Sequence, residues 1–577
     1  MRPDTAFPDR HPLGVNAKIL LSSVFGPYAQ DDEYGSRAIN PMELYHNQVT
    51  KVQGGFSLRM FHRSFGLMMI QSNIDAPCTL LDFPSLDRFV DEIKNNHYDI
   101  VGIGSIVHNI GKVKAMCDFI RKYLPKCTII IGGHITNLDA VEEKIDADYI
   151  VKGDGIRWFR RYLGQEETVP IRHPLVISGF GARIMGLTLP DSSAAATLIP
   201  SVGCPLGCNF CSTSALFGGK GHFVNFYETG DELFSIMSQI ERDLNANSFF
   251  VLDENFLLHK PRALRLLDLM KEKGKSWSIY VFTSAQVLQS YTIDQLIGLG
   301  VAWVWMGLEG EECQYQKLKG IDTHSLVKTL QSNGIRVLGS SIIGLETHTL
   351  ENIDEVVTYA VNHNTDFHQF MLYMPIPCTP LYMDHQKDGS LMPLSEFSLA
   401  DYHGQYRFNY RHKHIPQGRE EQILADAFRR DFEVNGPSLF RLTRTILTGW
   451  KKFKNHPDPR IRNRFKVGVR PLRTVYAGAL WAMKKSYRSN RQIADKVENL
   501  LSDIYDEFGW MTKSVAPIIG LFLHFMLKME EKRLAKGWTY EPQTFYEKND
   551  AALAMDATRR ASKNRWVATT KNYHTSF

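Results

Sequence analysis

The chain has 577 residues, a net charge of +5, 44% hydrophobic residues and 22% charged residues. This chain is longer than a single domain with one hydrophobic core, so we expect about three to four domains. The composition is typical of a folded globular protein and excludes a largely disordered chain. A charge of +5 does not by itself indicate a nucleic-acid partner.

The pattern of the eight cysteines and the composition of the first ten residues favour a reducing compartment. Five cysteines are scattered without the spacing of a disulfide framework, and the first ten residues lack the apolar segment of a secretory signal. The longest apolar stretch, residues 515–527, is interrupted by His524 and is too short to span a bilayer. We therefore predict a cytoplasmic protein, either soluble or peripheral at the inner membrane surface.

The first 165 residues contain four buried-strand patterns that alternate with helical or loop segments. Three of these strands end in glycine, with Gly-Ile-Gly-Ser at 102–105, Gly-Gly-His at 132–134 and Gly-Asp-Gly at 153–155. This pattern predicts an α/β domain with a doubly wound, Rossmann-like parallel sheet, whose ligand lies outside the carboxyl ends of the strands. Glycine lets backbone approach a ligand closely, although any one of these glycines can simply turn the chain.

These strand ends resemble those of cobalamin-binding domains found ahead of radical S-adenosylmethionine (SAM) domains. The resemblance covers about residues 16–165, within a predicted domain 1–165 that is followed by an irregular linker at 166–195. It implies that the corrin is held by Ser105, Gly132, Gly133, Gly153 and Gly155. The Asp-x-His-x-x-Gly motif of many cobalamin proteins is absent, and His108-Asn-Ile-Gly111 lacks the aspartate. We therefore expect cobalamin to bind without a histidine ligand from the protein.

A three-cysteine loop, Cys204-Pro-Leu-Gly-Cys208-Asn-Phe-Cys211, follows an apolar run. Three thiolates can hold three irons of a [4Fe–4S] cluster and leave the fourth iron open for a small chelating ligand. The same cysteines can also be buried thiols, or zinc ligands together with His222. Zinc sites usually use paired Cys-x2-Cys or Cys/His units, and no second unit follows in this sequence.

Six strand patterns alternate with helical patterns between about residues 195 and 385. This number suits a (β/α)6 partial barrel, with polar residues at the carboxyl ends of the strands facing a cavity. Residues 196–385 resemble the radical SAM superfamily, whose specific signature is the three-cysteine motif. The resemblance implies that Cys204, Cys208 and Cys211 hold the cluster and that SAM chelates the open iron. The reduced cluster then cleaves SAM to a 5′-deoxyadenosyl radical, which abstracts a hydrogen atom from the substrate.

The same resemblance assigns further side chains to SAM. Phe210 matches the aromatic residue that packs on the adenine, and Glu309 matches the acidic residue that contacts the ribose or the amino group. A carboxylate suits either role because it accepts hydrogen bonds from hydroxyls and from ammonium. Ser340 is expected to line the SAM pocket, and the acidic pair at 253–254 either faces the cavity or is solvated.

The remaining residues, 386–577, show no catalytic motif and are predicted to be mainly helical. Fifteen basic residues lie between Arg441 and Arg491, with Asp458 as the only acidic residue among them. These basic residues are interpreted either as a solvated helical face or as a surface that contacts anionic membrane lipid or an acidic substrate. No RNA-binding module accompanies the charge, so we do not expect nucleic acid as a partner.

Together these features predict a cobalamin-dependent radical SAM enzyme with a [4Fe–4S] cluster, SAM and cobalamin as cofactors. We expect it to C-methylate an unactivated carbon of a small-molecule or lipid-like substrate, with electrons from an external flavodoxin- or ferredoxin-type donor. Relatives with this architecture also carry out cyclisation, rearrangement or C–C coupling without methyl transfer, which the sequence does not separate. An alternative of another class is an iron–sulfur sensor or binding protein, which does not cleave SAM.

Overall fold

The fold is given by a computed structural model. It describes residues 10–34, 39–43, 45–178, 183–184, 187–188, 195–309, 318 and 320–558. Parts of the predicted linker at 166–195 and the last nineteen residues of the predicted C-terminal region therefore lie outside the described residues.

The N-terminal domain is a parallel sheet covered by helices. Its strands are β1 (Ile19–Ser22), β2 (Cys78–Asp82), β3 (Ile100–Gly104), β4 (Thr128–Gly132) and β5 (Tyr149–Val151). Its helices are α1 (Tyr45–Gln48), α2 (Phe65–Ser72), α3 (Leu86–Asn95), α4 (Ile110–Tyr123), α5 (Val141–Lys144) and α6 (Gly155–Tyr162). The strands adjoin in the order β2-β1-β3-β4-β5 and every pair is parallel. The predicted Rossmann-like sheet is confirmed, and its strands are apolar because both faces are covered.

The central domain is built on a second parallel sheet. The short antiparallel pair β6 (Arg183–Ile184) and β7 (Leu187–Thr188) precedes it. The remaining strands here are β8 (Ala196–Leu198), β9 (Ser201–Val202), β10 (Val224–Asn225), β11 (Ser248–Val251), β12 (Ser278–Phe282), β13 (Val301–Glu309), β14 (Arg336–Ile343) and β15 (Phe367–Leu372). Six of them form one parallel sheet in the order β8-β11-β12-β13-β14-β15, which confirms the predicted six-stranded α/β core.

Among the described residues, eight helices lie along the chain between or after the strands of this domain. They are α7 (Ser212–Leu216), α8 (Gly230–Leu244), α9 (Lys260–Glu272), α10 (Ala285–Gln289), α11 (Ile293–Leu299), α12 (Thr323–Ser332), α13 (Ile353–Asn362) and α14 (Pro380–Lys387). A capping box at Thr229 starts α8, and a second one at Thr292 starts α11. Each box satisfies backbone N–H groups that the first helical turn leaves without partners. Local sequence thus fixes where these helices begin.

The C-terminal region is helical, as predicted, but its end returns to the N-terminal domain. The helices are α15 (Arg419–Asn435), α16 (Ser438–Phe453), α17 (Pro459–Gly468), α18 (Val475–Ser486), α19 (Arg491–Phe508) and α20 (Trp510–Leu534). Strand β16 (Phe545–Lys548) then pairs antiparallel with β2 and completes the first sheet. A four-residue edge strand carries too short a pattern to be detected in the sequence, because its partner lies more than 450 residues away.

Several basic side chains of the C-terminal region are buried and do not form the solvated face that was one of the expectations. Arg441 is fully buried and donates hydrogen bonds to the Asp431 carboxylate at 2.7 Å and to the Thr365 carbonyl at 2.8 Å. Arg460 and Arg464 are also buried. Arg441 and Arg460 donate to carbonyls of the central domain, at Thr365 and Lys275 respectively. The charge of the region is therefore only partly available to a partner.

Replacing Arg441 by Met is expected to destabilise the protein by about 3–5 kcal/mol, because the buried Asp431 carboxylate then loses its ion partner. A lowered midpoint of thermal denaturation measures this effect. Arg429→Met is the matched control, since Arg429 pairs with Asp426 on the exposed side of α15, and we expect less than about 1 kcal/mol there. Equal shifts for the two variants would contradict the assignment of Arg441 as a structural cation.

Candidate active site

A cavity of about 1140 Å³ lies between the N-terminal and central domains. The carboxyl ends of β3, β4 and β5 line one side with Gly104, Ser105, Gly132, Gly133, Gly153 and Gly155. The three-cysteine loop and the strand ends of the second sheet line the other side with Cys204, Cys208, Phe210, Cys211, Glu254 and Glu309. The structure therefore brings all the predicted site residues except Ser340 to one cavity.

The three-cysteine loop is held in shape by a glycine and by two hydrogen bonds from Ser214. Gly207 has a φ of +63°, and a Cβ there would lie 2.6 Å from the Cα of Lys220, so only glycine fits. The Ser214 N–H donates to the Cys211 sulfur at 3.5 Å, and the Ser214 hydroxyl donates to the Cys204 carbonyl at 3.0 Å. These bonds connect the first and last cysteines of the motif through the start of α7.

The three cysteines are half-buried. Desolvation raises the pKa of Cys204 to about 11 and also raises the pKa of Cys211. Without metal the Cys204 thiol is protonated at neutral pH. Since the thiolate is the metal ligand, cluster assembly releases its proton and is favoured by higher pH.

The far side of the cysteine loop is anchored to the last strand of the second sheet. The Leu381 N–H donates to the Asn209 carbonyl at 3.0 Å, and the Asn209 amide donates to the Tyr373 hydroxyl at 3.2 Å. The Phe210 ring meets the Tyr373 ring edge-on with centroids 6.3 Å apart, beside Ile342. Phe210 therefore anchors the loop and presents an apolar wall to the cavity.

The two neighbouring acids at the end of β11 have different surroundings. Asp253 is buried and accepts hydrogen bonds from the Ser201 hydroxyl at 2.6 Å and from the Arg262 guanidinium at 2.9 Å. Glu254 lines the cavity, its Oε2 has no hydrogen-bond partner, and burial raises its pKa to about 7. Both acids line the cavity. They differ in that Asp253 is held by Ser201 and Arg262, whereas Glu254 has a carboxyl oxygen without a hydrogen-bond partner.

Glu309 occupies a strained position at the end of β13. Its φ is +51°, and the pairing register of β13 with β14 shifts between Gly307 and Glu309. Non-glycine residues at positive φ persist when their surroundings fix them, which often occurs at functional sites. The side chain is buried and lines the cavity, so a second carboxyl faces the same space as Glu254.

Glu254→Gln is expected to stabilise the cofactor-free protein at alkaline pH. The folded pKa of about 7 lies above the ordinary value of 4.5, so stability falls as pH rises from about 4.5 through 7. The amide removes this loss, which by the linkage relation is roughly 3 kcal/mol at pH 8 and small at pH 5. Urea denaturation at the two pH values measures it, with the exposed Glu143→Gln as control. A gain that is equal at both pH values would contradict the assignment.

Ser340 does not line the cavity. Its hydroxyl accepts a hydrogen bond from the Trp305 indole N–H at 2.8 Å and donates to the Gln369 side-chain carbonyl at 2.7 Å. Gln369 in turn donates to the Gln48 side chain at 2.8 Å. Trp305 and Gln369 line the cavity in front of Ser340. Sequence reasoning missed these two residues because strand alternation gives the face of a side chain but not its hydrogen-bond partners.

The ends of β3 and β4 approach each other closely at the cavity. Gly133 has a φ of +85°, and a Cβ there would lie 2.6 Å from the Ser105 carbonyl oxygen. At Gly132 and Gly153, which line the cavity, a Cβ would meet no atom closer than 3.8 Å. The bare backbone at these two positions leaves room for a flat ligand such as a corrin, so the residues present fit that group. The next residue, His134, is half-buried, lines the cavity and has its Nε2 3.3 Å from the Thr213 hydroxyl of α7. His134 was not predicted, although it directly follows the noted Gly-Gly pair.

His108 and His222 do not line the cavity. His108 is half-buried and stacks on His403 with ring centroids 5.8 Å apart. His222 is exposed, with its Nδ1 3.1 Å from the Lys220 carbonyl. Over the part of the chain that the structure describes, no three His, Cys, Asp or Glu side chains are grouped around a single metal ion. Among the described residues that line the cavity, the cysteines are Cys204, Cys208 and Cys211, and three thiols suit a cluster with an open iron.

Comparison with protein families agrees with this geometry. Residues 58–162 match the B12 binding domain, and residues 198–360 match the radical SAM superfamily. The chain is a radical SAM enzyme with a B12-binding domain. Both predicted resemblances are confirmed, and the cofactors of this radical SAM enzyme are a [4Fe–4S] cluster, SAM and cobalamin.

Known proteins similar to this radical SAM enzyme include methyltransferases. Bacteriochlorophyllide d C-8(2)-methyltransferase of Chlorobaculum tepidum is 24% identical over 398 residues, which cover 63% of this chain and 83% of that protein. An uncharacterized methyltransferase of Pyrococcus horikoshii is 24% identical over 326 residues, 50% of this chain and 70% of that protein. The structure of the radical SAM methyltransferase TsrM from Kitasatospora setae, with cobalamin and a [4Fe–4S] cluster bound, aligns with a TM-score of 0.48 at 14% identity, covering 78% of this chain and 98% of TsrM.

Proposed function

We propose that this enzyme transfers a methyl group to a carbon atom of a small-molecule substrate. The observation that carries the proposal is the single cavity lined both by the B12-binding strand ends and by the three cluster cysteines. The methyltransferases similar to this chain support the same reaction class. When bound, SAM on the cluster supplies a 5′-deoxyadenosyl radical that abstracts hydrogen, and cobalamin supplies the methyl group.

The residues of the chain hold and enclose these groups. Cys204, Cys208 and Cys211 bind the cluster, and Glu254 and Glu309 accept hydrogen bonds from the ammonium or hydroxyl groups of SAM. The backbone of the first sheet at the ends of β3, β4 and β5 would hold the corrin. Burial between two domains keeps water and unrelated C–H bonds away from a reactive primary radical. A flavodoxin- or ferredoxin-type protein delivers the electron from outside.

The test is anaerobic turnover of the reconstituted protein with reductant, cobalamin and SAM that carries a deuterated methyl group. Extracts of a deletion strain supply candidate substrates, since the unmethylated precursor accumulates there. We expect 5′-deoxyadenosine, S-adenosylhomocysteine and a product that is heavier by the labelled methyl group. Formation of 5′-deoxyadenosine with an unlabelled, rearranged or cyclised product would replace methyl transfer by the alternative radical chemistry. Absence of 5′-deoxyadenosine from cluster-loaded protein would exclude both.

A further inference from the structure

Helix α20 is apolar on two opposite faces. The face that contains Ala516, Gly520, Leu523 and Leu527 is buried. The other face carries large exposed side chains, with exposed fractions of 76% for Trp510, 70% for Ile518, 53% for Phe522 and 62% for Phe525, joined by Met511, Leu521 and Met529. Surface helices of soluble proteins normally turn a polar face outward. A contiguous apolar patch of this kind marks an interaction surface.

The buried face of α20 is closely packed, which fixes the orientation of the exposed one. A Cβ on Gly520 would lie 2.5 Å from the Trp481 ring and 2.9 Å from the Gly478 carbonyl of α18. A Cβ on Gly55 would lie 2.4 Å from the Leu527 side chain. By length and composition α20 is able to cross a membrane, although the uninterrupted apolar run in the sequence is shorter. In the fold it is attached along one side to α18 and to the segment around Gly55, so it presents one face only.

Cations border the exposed apolar face. Lys513, Lys528 and Lys532 on α20 are exposed, as are Lys485 and Arg488 at the end of α18. Lys485, Lys528 and Arg488 all act electrostatically on His524 in the middle of α20, whose pKa is lowered first by burial and then by these charges. Of the acids on α20, Glu530 is buried and Glu531 pairs with Lys528 at 2.7 Å. The electrostatic surroundings of the patch are therefore positive.

We propose that the exposed face of α20 docks on an anionic phospholipid membrane. A helix that combines aromatic and aliphatic side chains on the outward face with flanking lysines and arginines is suited to the headgroup region of such a bilayer. Trp510 at the helix start is the type of residue that prefers this interface. The inference uses the charge and exposure of α20 and does not depend on methyl transfer.

The docking helix is also connected to the cavity. Leu527 packs on Gly55, and the segment on either side of Gly55 contributes Gln48 and His62 to the cavity wall. His62 is half-buried there, stacks on Phe250 and has no partner for its Nδ1. A membrane surface at α20 therefore adjoins the segment that closes the cavity. This placement suits a substrate that partitions into lipid.

The experiment is flotation of the full-length, cluster-loaded protein with phosphatidylcholine vesicles prepared with or without phosphatidylglycerol. We expect binding to the anionic vesicles that weakens as salt is added, because exposed charges are screened. Combining Ile518→Ser, Phe522→Ser and Phe525→Ser is expected to lower the partition coefficient at least about tenfold. Met383→Ser, Leu394→Ser and Val434→Ser, at positions exposed by 54%, 53% and 46% elsewhere on the surface, form the matched control and should bind as the parent does.

A charge variant keeps the proposal testable if the serine variant folds poorly. Lys485→Glu combined with Arg488→Glu leaves the apolar face intact and is expected to reduce the preference for anionic vesicles. Unchanged iron content and circular dichroism show that each variant is folded. Failure of the parent protein to float, or equal flotation of the parent and both variants, overturns the proposal. The proposal is also overturned if the parent protein is a dimer that does not bind vesicles and the serine variant is a monomer. In that case the exposed face of α20 contacts a second copy of the chain.

Discussion

Cys208→Ala is expected to abolish both cluster binding and formation of 5′-deoxyadenosine. The remaining two thiols cannot hold a cubane that requires three ligands from this loop, and SAM then lacks the iron that it chelates. Iron content and the visible absorbance of the reconstituted protein measure cluster loading, and chromatography of anaerobic turnover mixtures measures 5′-deoxyadenosine. We expect the product to fall below detection, whereas cobalamin binding persists because the glycine strand ends of the first sheet are unchanged.

Cys127→Ala is the matched control for this variant. Cys127 is buried beside β4 in the core of the N-terminal domain, so its removal costs packing but leaves the three cavity thiols in place. It should load the cluster as the parent does. A Cys208→Ala protein that retains the cluster absorbance and turns over SAM would show that another ligand completes the site, and it would overturn the assignment of the loop.

Gly133→Ala is expected to weaken cobalamin binding at least about tenfold. An alanine at the φ of +85° is strained by about 1–2 kcal/mol, and its Cβ would lie 2.6 Å from the Ser105 carbonyl oxygen. The ends of β3 and β4 must then separate, and these ends form the wall on which the corrin lies. Spectroscopic titration of the protein with hydroxocobalamin measures the affinity, and iron content shows that the cluster site is unaffected.

Gly274→Ala separates the effect of the cavity wall from that of backbone strain. Gly274 has a φ of +67°, but a Cβ there meets no atom within 4 Å, and it lies in the turn after α9 away from the cavity. This variant carries similar backbone strain and should bind cobalamin as the parent does. If both variants lose the same amount of affinity, the loss reflects general destabilisation, and the corrin contact at Gly133 is wrong.

Much of the fold could be predicted because its signals are local. Apolar strands that end in glycine, and capping residues such as Thr229 and Thr292, act within a few positions of the chain. The β16 strand could not be predicted in this way, since only its pairing with β2 makes it a strand. The burial of Arg441 likewise depends on Asp431 and Thr365, which other elements bring to it.

The candidate site divides along the same line. The sequence determined the three-cysteine loop and the glycine strand ends, because the ligand set of a cluster and the bare backbone of a strand end are encoded in consecutive residues. Only the tertiary structure decided how two adjacent cavity acids differ, since Asp253 accepts hydrogen bonds from Arg262 and Ser201 whereas the Oε2 of Glu254 has no hydrogen-bond partner. It also decided that the Ser340 hydroxyl forms hydrogen bonds with Trp305 and Gln369. For α20, the sequence shows an apolar helix, but packing against α18 is what selects the face that remains exposed.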